Sequence, residues 1–171
     1  MITESLYTPN CIRTFSRLYM NVFEPTEEMI RIEDIAHALS MQCRFGGHLP
    51  KFYSVAQHSV HCCEEVSEVH QLAALLHDAS EAYLVDIPSP VKSGLANYKQ
   101  LEDRLMKVIA KKFGFDYPLH PDVKIVDESM LHAEWEYLML EKQHFLKFRS
   151  WSQDEAKGRF LNMFYQISPQ F

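Results

Sequence analysis

The stretch Leu72-Ala73-Ala74-Leu75-Leu76-His77-Asp78-Ala79-Ser80-Glu81-Ala82-Tyr83 constrains the fold more than any other part of the chain. Leu72, Leu75, Leu76, Ala79 and Tyr83 recur with the spacing of one apolar helical stripe. At ~100° per residue, His77, Asp78 and Glu81 fall on the other side, with Ala74 between them. From Gln71 to Val85 there is no Lys or Arg, so that second side is not an ordinary solvated face. The pattern predicts one continuous helix over 71–85 that buries one side and aims an imidazole and two carboxylates into a site. Adjacent His and Asp side chains can bend toward one ion, but imidazole-carboxylate sites need about four to six donors. Further ligands must come from elsewhere, because a His-Asp pair alone is equally at home on a plain surface.

The preceding segment supplies them. Ser54 can cap a helix running to about Ser67, with Val55, Cys62 and Val66 on its core side. His58 lies at the edge of that stripe. His61, a turn further on, is expected to face outward. Antiparallel packing of helices 54–67 and 71–85 brings His58 within reach of His77. Upstream, Ile32, Ile35, Ala36, Leu39 and Cys43 mark a helix opened by Glu33 and Asp34 and stopped by Gly46-Gly47. Around that stop, Arg44, Phe45 and His48 suit contact with an anion, and they equally suit a plain helix end with a solvated arginine.

Downstream, Pro88 disfavours a helical Ile87, so Asp86 sits at or past a helix end and can curl back toward the cavity. Lys92 follows. Leu101, Leu105, Val108, Ile109 and Phe113 form another helix, closed by Gly114. A long helix from Val123 to about Leu140 places Asp127 and Glu134 nearly one above the other, as a partly buried acidic face or a solvated one. The segment 141–150 is mixed and basic. Ser152-Gln153-Asp154-Glu155 is a capping box for the last helix, which carries Ala156, Phe160, Met163, Phe164 and Ile167. Residues 1–23 alternate loosely, as a short β-hairpin does. The expected fold class is all-α with that hairpin at the start, as a single domain over 1–171.

Charge and composition exclude several classes. A net charge of −6 leaves no basic footprint, so stable nucleic-acid binding is not expected. No apolar run approaches the ~20 residues of a membrane span. Met1-Ile2-Thr3-Glu4 lacks the basic start and apolar block of a signal peptide. The four cysteines, Cys11, Cys43, Cys62 and Cys63, have no C-x-x-C spacing, and together these features place the expected location in a reducing cytoplasm.

The order His58, His77-Asp78, Asp127 resembles the H…HD…D signature of the HD-domain metal-dependent phosphohydrolases. Tyr53-Ser54-Val55-Ala56-Gln57-His58, His77-Asp78-Ala79-Ser80-Glu81, Asp86-Ile87-Pro88-Ser89-Pro90-Val91-Lys92 and Arg44-Phe45-Gly46-Gly47-His48 look like blocks of the bacterial and phage branch similar to the 5'-deoxynucleotidases. The likeness covers most of residues 10–140. That branch carries Arg-Trp where this chain has Arg44-Phe45, and His48 is not a residue of its known site. The resemblance implies an HD-domain helical bundle, a nucleotide substrate and a homodimer.

The residues make chemical sense together. His58, His77, Asp78 and Asp127 form a mixed N/O set for a divalent transition ion such as Mn, Co, Ni, Fe or Zn. Arg44 can grip phosphate in a bidentate way, with Lys92 as a point charge, Phe45 against sugar or base and His48 nearby. Glu134 is expected to border the cavity and hold Arg44. Glu81 suits orienting the attacking water, and a protonated Asp86 can serve the departing 5'-oxygen. The leading expectation is removal of phosphate from deoxyribonucleoside 5'-monophosphates. The alternatives are a dNTP triphosphohydrolase releasing triphosphate, and a nucleotide-binding HD domain without turnover.

Overall fold

The computed structural model describes residues 8–142 and 146–171. The start at Met1-Ile2-Thr3-Glu4 and residues 143–145 of the basic segment lie outside them. The described chain is all-α apart from one antiparallel hairpin. In it β1 (Cys11–Arg13) pairs with β2 (Tyr19–Asn21) in the register Ile12 opposite Met20. The turn has no glycine. Arg17 takes the left-handed conformation there, at φ 69°. The buried Asp34 carboxylate accepts from the Ser16 N–H and hydroxyl at 2.6 and 2.7 Å, pinning the hairpin to the first helix.

The helices are α1 (Ile32–Met41), α2 (Val55–Glu65), α3 (Gln71–Leu75), α4 (Glu81–Leu84), α5 (Ser89–Lys92), α6 (Tyr98–Phe113), α7 (Pro121–Glu134) and α8 (Gln153–Ile167). The expected caps form. The Ser54 hydroxyl accepts from the Gln57 N–H, the Ser152 hydroxyl accepts from the Glu155 N–H, and Gly114 closes α6 in the left-handed conformation. The last long helix, expected to reach about Leu140, is α-helical to Glu134 and continues as a π-helical turn over Trp135–Met139.

At the centre lies α2, packed against α1, α3, α7 and α8. Every residue from Val55 to Cys63 is buried. A helix enclosed on all sides has no outward face, so the expectation that His61 points to solvent fails: it is 2% exposed. Around α2 the core is closed by Ile35 and Leu39 of α1, Leu105 and Ile109 of α6, and Phe160 and Phe164 of α8. Each such burial contributes about 1.5–3 kcal/mol. No described helix is long and apolar enough to cross a membrane.

Two further expectations are corrected. The helix through Cys43 ends earlier, at Met41, because the chain turns into backbone pairing with the segment before α2. The Arg44 N–H donates to the Tyr53 carbonyl, the Val55 N–H donates to the Gln42 carbonyl, and Cys43 faces Ser54. The continuous helix over 71–85 is also interrupted. After α3 the chain makes tight turns over Leu76–Ser80, with Ala79 N–H to Leu76 carbonyl and Glu81 N–H to Asp78 carbonyl, before α4 begins.

Candidate metal centre

The break between α3 and α4 is stabilised by one of the candidate ligands. The His77 ring nitrogen Nδ1 lies 2.7 Å from the Ala74 carbonyl, a group that an unbroken helix would bond to the backbone of residue 78. The carbonyl only accepts, so Nδ1 carries the hydrogen and Nε2 is the nitrogen that a neutral ring would offer as a ligand. On α2 the same logic holds for His58. Its Nδ1 lies 2.7 Å from Glu134 Oε1, a fully buried carboxylate. His58 Nε2 is likewise the nitrogen that faces His77.

Those two Nε2 atoms face each other at 3.3 Å. Asp127 Oδ1 lies 3.0 Å from His58 Nε2 and 3.5 Å from His77 Nε2. Asp78 Oδ2 lies 3.2 Å from His77 Nε2 and 3.9 Å from His58 Nε2. Four potential ligand atoms thus converge. Two ligands each about 2.1 Å from one ion, at tetrahedral or octahedral angles, lie about 3.0–3.4 Å apart, which is the range most of these contacts occupy. Two imidazole nitrogens and carboxylate oxygens at such spacing form a donor set that could hold a metal ion.

The charge balance favours positive charge at this point. Burial and the Arg44 charge pull His58 downward, but Glu134, Cys62 and Asp127 outweigh them and hold it well above the ordinary imidazole range. Burial likewise opposes the rise of His77, which Asp78 and Asp127 drive. Burial raises Asp78, yet His77, His58 and Arg44 bring it down to about 2. Asp127 is held far below the carboxylate range by the same two histidines, against its burial.

Cys62 was expected only as a core residue. Its Sγ lies 3.5 Å from His58 Nε2, one helical turn along α2, so the core side and the flank of the cluster coincide there. The donor atoms of His58, Cys62, His77 and Asp127 all lie within 4.8 Å of one another and could hold a metal ion.

A cavity of about 620 Å³ opens over the cluster, and Asp78 and Asp127 reach its floor. Arg44, Phe45, Glu81, Asp86 and Lys92 line it, all five from the expected set. The Arg44 guanidinium is buried. Its Nε lies 2.9 Å from Glu134 Oε2 and one terminal nitrogen lies 3.7 Å from Asp78. Burial works against that charge, but Glu134 and Asp78 more than offset it, so Arg44 stays ionised. Glu134 itself does not border the cavity. It is 0% exposed and lies beneath Arg44, joining the guanidinium to His58. Burial raises its carboxyl, but His58 and Arg44 keep it low.

His48 is exposed, caps the Arg44–Gly47 turn through its N–H to the Phe45 carbonyl, and lies outside the described residues that line the cavity. Lys92 Nζ is held by Glu102 at 2.8 Å and stands 3.6 Å from Glu81. Burial first, then Asp78 and Asp86, push Glu81 up to about 9, and its Oε2 is buried without a partner among the described residues. Asp86 is raised by burial, with Arg44 and Lys92 opposing.

Gln42 is a site residue that the sequence pattern did not reveal. Its side-chain N–H donates to the Glu81 carbonyl at 2.9 Å and its oxygen accepts from the Asp86 N–H at 3.0 Å, so one side chain ties the start of α4 to the chain just past its end. A lone Gln after a helix stripe carries no signal of that reach.

No family model matches the chain. The chain is 42% identical over 134 residues to the uncharacterized protein YfdR of Escherichia coli strain K12, covering 78% of this chain and 75% of that protein. It is 37% identical over 123 residues to the uncharacterized protein RCAP_rcc00048 of Rhodobacter capsulatus, covering 66% of this chain and 62% of that one.

Proposed function

We propose that this chain, which belongs to the family of Escherichia coli YfdR, is a metal-dependent phosphohydrolase of nucleotides that removes phosphate from deoxyribonucleoside 5'-monophosphates. The observation that carries the reading is the convergence of His58, His77, Asp78 and Asp127 beneath a cavity whose wall presents a buried, ionised arginine. A divalent transition ion held by those four residues would supply nucleophilic hydroxide near neutral pH and offset negative charge on the substrate.

The chain's own groups divide the remaining work. Arg44 uses Nε–H on Glu134 and keeps terminal N–H groups for phosphate oxygens. Its neighbour Phe45 packs against the sugar or base. Glu81, whose buried Oε2 lacks a partner among the described residues, orients the water that attacks phosphorus. As the bond from phosphorus to the 5'-oxygen breaks, Asp86 delivers the proton that the leaving nucleoside needs. Lys92, tied to Glu102, adds positive charge beside Glu81.

A product assay over nucleoside mono-, di- and triphosphates with Mn²⁺ or Co²⁺ tests the reading. Inorganic phosphate and a nucleoside from the monophosphates support it. Triphosphate released from a dNTP replaces it with a triphosphohydrolase, and bound metal with no turnover on any member replaces it with a binding domain.

A further inference from the structure

Three departures from ordinary local structure meet at the mouth of the cavity. Phe45 lies in the left-handed region at φ 54°, ψ 32°, where a bulky residue is an outlier. Such backbone persists only where its surroundings over-determine it, ligand clamps among them. The end of α7 widens into the π-helical turn Trp135–Met139, a form frequent at functional sites. Trp135, at the head of that turn, is 44% exposed. The cause is its neighbour: Glu134 is drawn fully inward by His58 and Arg44, and the next residue, ~100° around the helix, emerges at the rim.

Phe45 and Trp135 both line the cavity, and their ring centroids are 6.3 Å apart with planes 38° from parallel. The Arg44 guanidinium carbon lies 5.7 Å from the Phe45 ring centroid, tying the aromatic pair to the end of the cavity that binds charge. Ile87, Pro88, Pro90 and Leu131 add apolar wall.

We infer that Phe45 and Trp135 form an aromatic jaw on whose exposed face the flat ring of a nucleobase stacks while Arg44 holds the phosphate, an inference that rests on the phosphohydrolase reading. Stacking supplies the selection, because every base has a π-face and a sugar phosphate has none. The jaw therefore favours nucleotides over base-free phosphate esters and tolerates purines and pyrimidines alike.

The test uses the metal-loaded full chain and equilibrium binding by calorimetry. Its probes are thymidine 5'-monophosphate, deoxyadenosine 5'-monophosphate and the base-free 2-deoxyribose 5-phosphate. Trp135→Leu is expected to weaken both nucleotides roughly 5- to 150-fold and to leave 2-deoxyribose 5-phosphate within about twofold, with Trp135→Phe recovering much of the loss. Fluorescence gives a second readout. Of the two tryptophans, Trp151 is buried, so saturable quenching by nucleotide that vanishes in Trp135→Phe places the base against Trp135. Equal weakening of all three probes overturns the jaw, as does undiminished nucleotide binding in Trp135→Leu or no saturable nucleotide binding at all. Nucleotide hydrolysis without any Trp135 contribution removes the jaw and keeps the phosphohydrolase. Base-dependent binding without hydrolysis of any ester does the reverse.

Discussion

His58 and His61 stand on one helix less than a turn apart, both buried, yet they belong to opposite chemical regions. His58 is surrounded by carboxylates from α7 and the turn after α3, and is driven well above the ordinary imidazole range against its own burial. His61 sits in an aromatic pocket. Its Nδ1 is 2.9 Å from the Tyr53 hydroxyl, and its ring meets Trp151 edge-on at 5.0 Å. There burial, then Lys147, bring it down to about 4, with Glu134 opposing and His58 and Arg159 adding like charge. Burial alone favours a neutral histidine. Nearby carboxylates decide which of two buried histidines can share a cation and which remains a packing group.

The largest expected effect breaks the pair apart. Alanine at His58, His77 or Asp78 should abolish bound metal and nearly all turnover, whereas His61→Ala should retain metal. Metal stoichiometry on the purified, folded variants checks this, and metal lost from His61→Ala but kept in His58→Ala would reverse the assignment.

Next comes Glu81, the proposed water-orienting group on the acidic side. Glu81→Gln keeps size and hydrogen bonding but cannot exchange the proton, so kcat should fall ~10²–10⁴-fold with metal content unchanged. A purely structural Glu81, paired to Lys92 alone, would instead show altered KM or stability at nearly full kcat.

A smaller loss is expected at Arg44, which Glu134 joins to the acidic region and which the proposed function places on the substrate phosphate. Arg44→Lys retains charge but not the fork, and should cost ~1–3 kcal/mol of substrate or transition-state binding. Steady-state kinetics on this variant at wild-type values would remove Arg44 from phosphate recognition.

The smallest effect sharpens the contrast through pH. Because His61 in the fold titrates near 4 rather than at its ordinary 6.5, the unfolded chain takes up its proton first as pH falls, and stability is lost between those values. His58 has the opposite sign: its contribution is fully present below 6.5 and is lost as pH rises through its raised folded value. His61→Gln should therefore lose less stability than wild type between pH 7 and 5, by at most about 2 kcal/mol. Urea unfolding at both pH values measures the difference, and identical losses would detach His61 from acid sensitivity.

The sequence made much of this legible where one residue type had one use. The stripe periods located α2, α6 and α8, and Ser54, Ser152 and Gly114 marked their ends, because caps and stripes are local. The positions His58, His77, Asp78 and Asp127 were readable from their order, and the fold brings them together. What escaped depended on neighbours distant in the chain. His61 turned inward because four helices enclose α2. The break at Leu76–Ser80 relies on a side-chain bond from His77 that apolar periodicity does not encode. Gln42 reaches Glu81 and Asp86 across about forty residues, and Glu134 became the floor beneath Arg44 rather than a wall. His48, beside a Gly-Gly turn, had the right chemistry and the wrong direction.

Glu134 has a consequence for anyone who would redesign this protein. One carboxyl group, with one oxygen on His58 and the other on Arg44, would under the proposed function make the choice of ion and the grip on substrate inseparable engineering variables. Re-tooling the centre for a different ion by altering how His58 is held would shift the arginine's posture in the same stroke. Altering the arginine would leave an imidazole with a looser anchor. Variants selected for a new metal should therefore arrive with altered substrate ranges, and libraries aimed at either property would need to vary both partners of that carboxylate together.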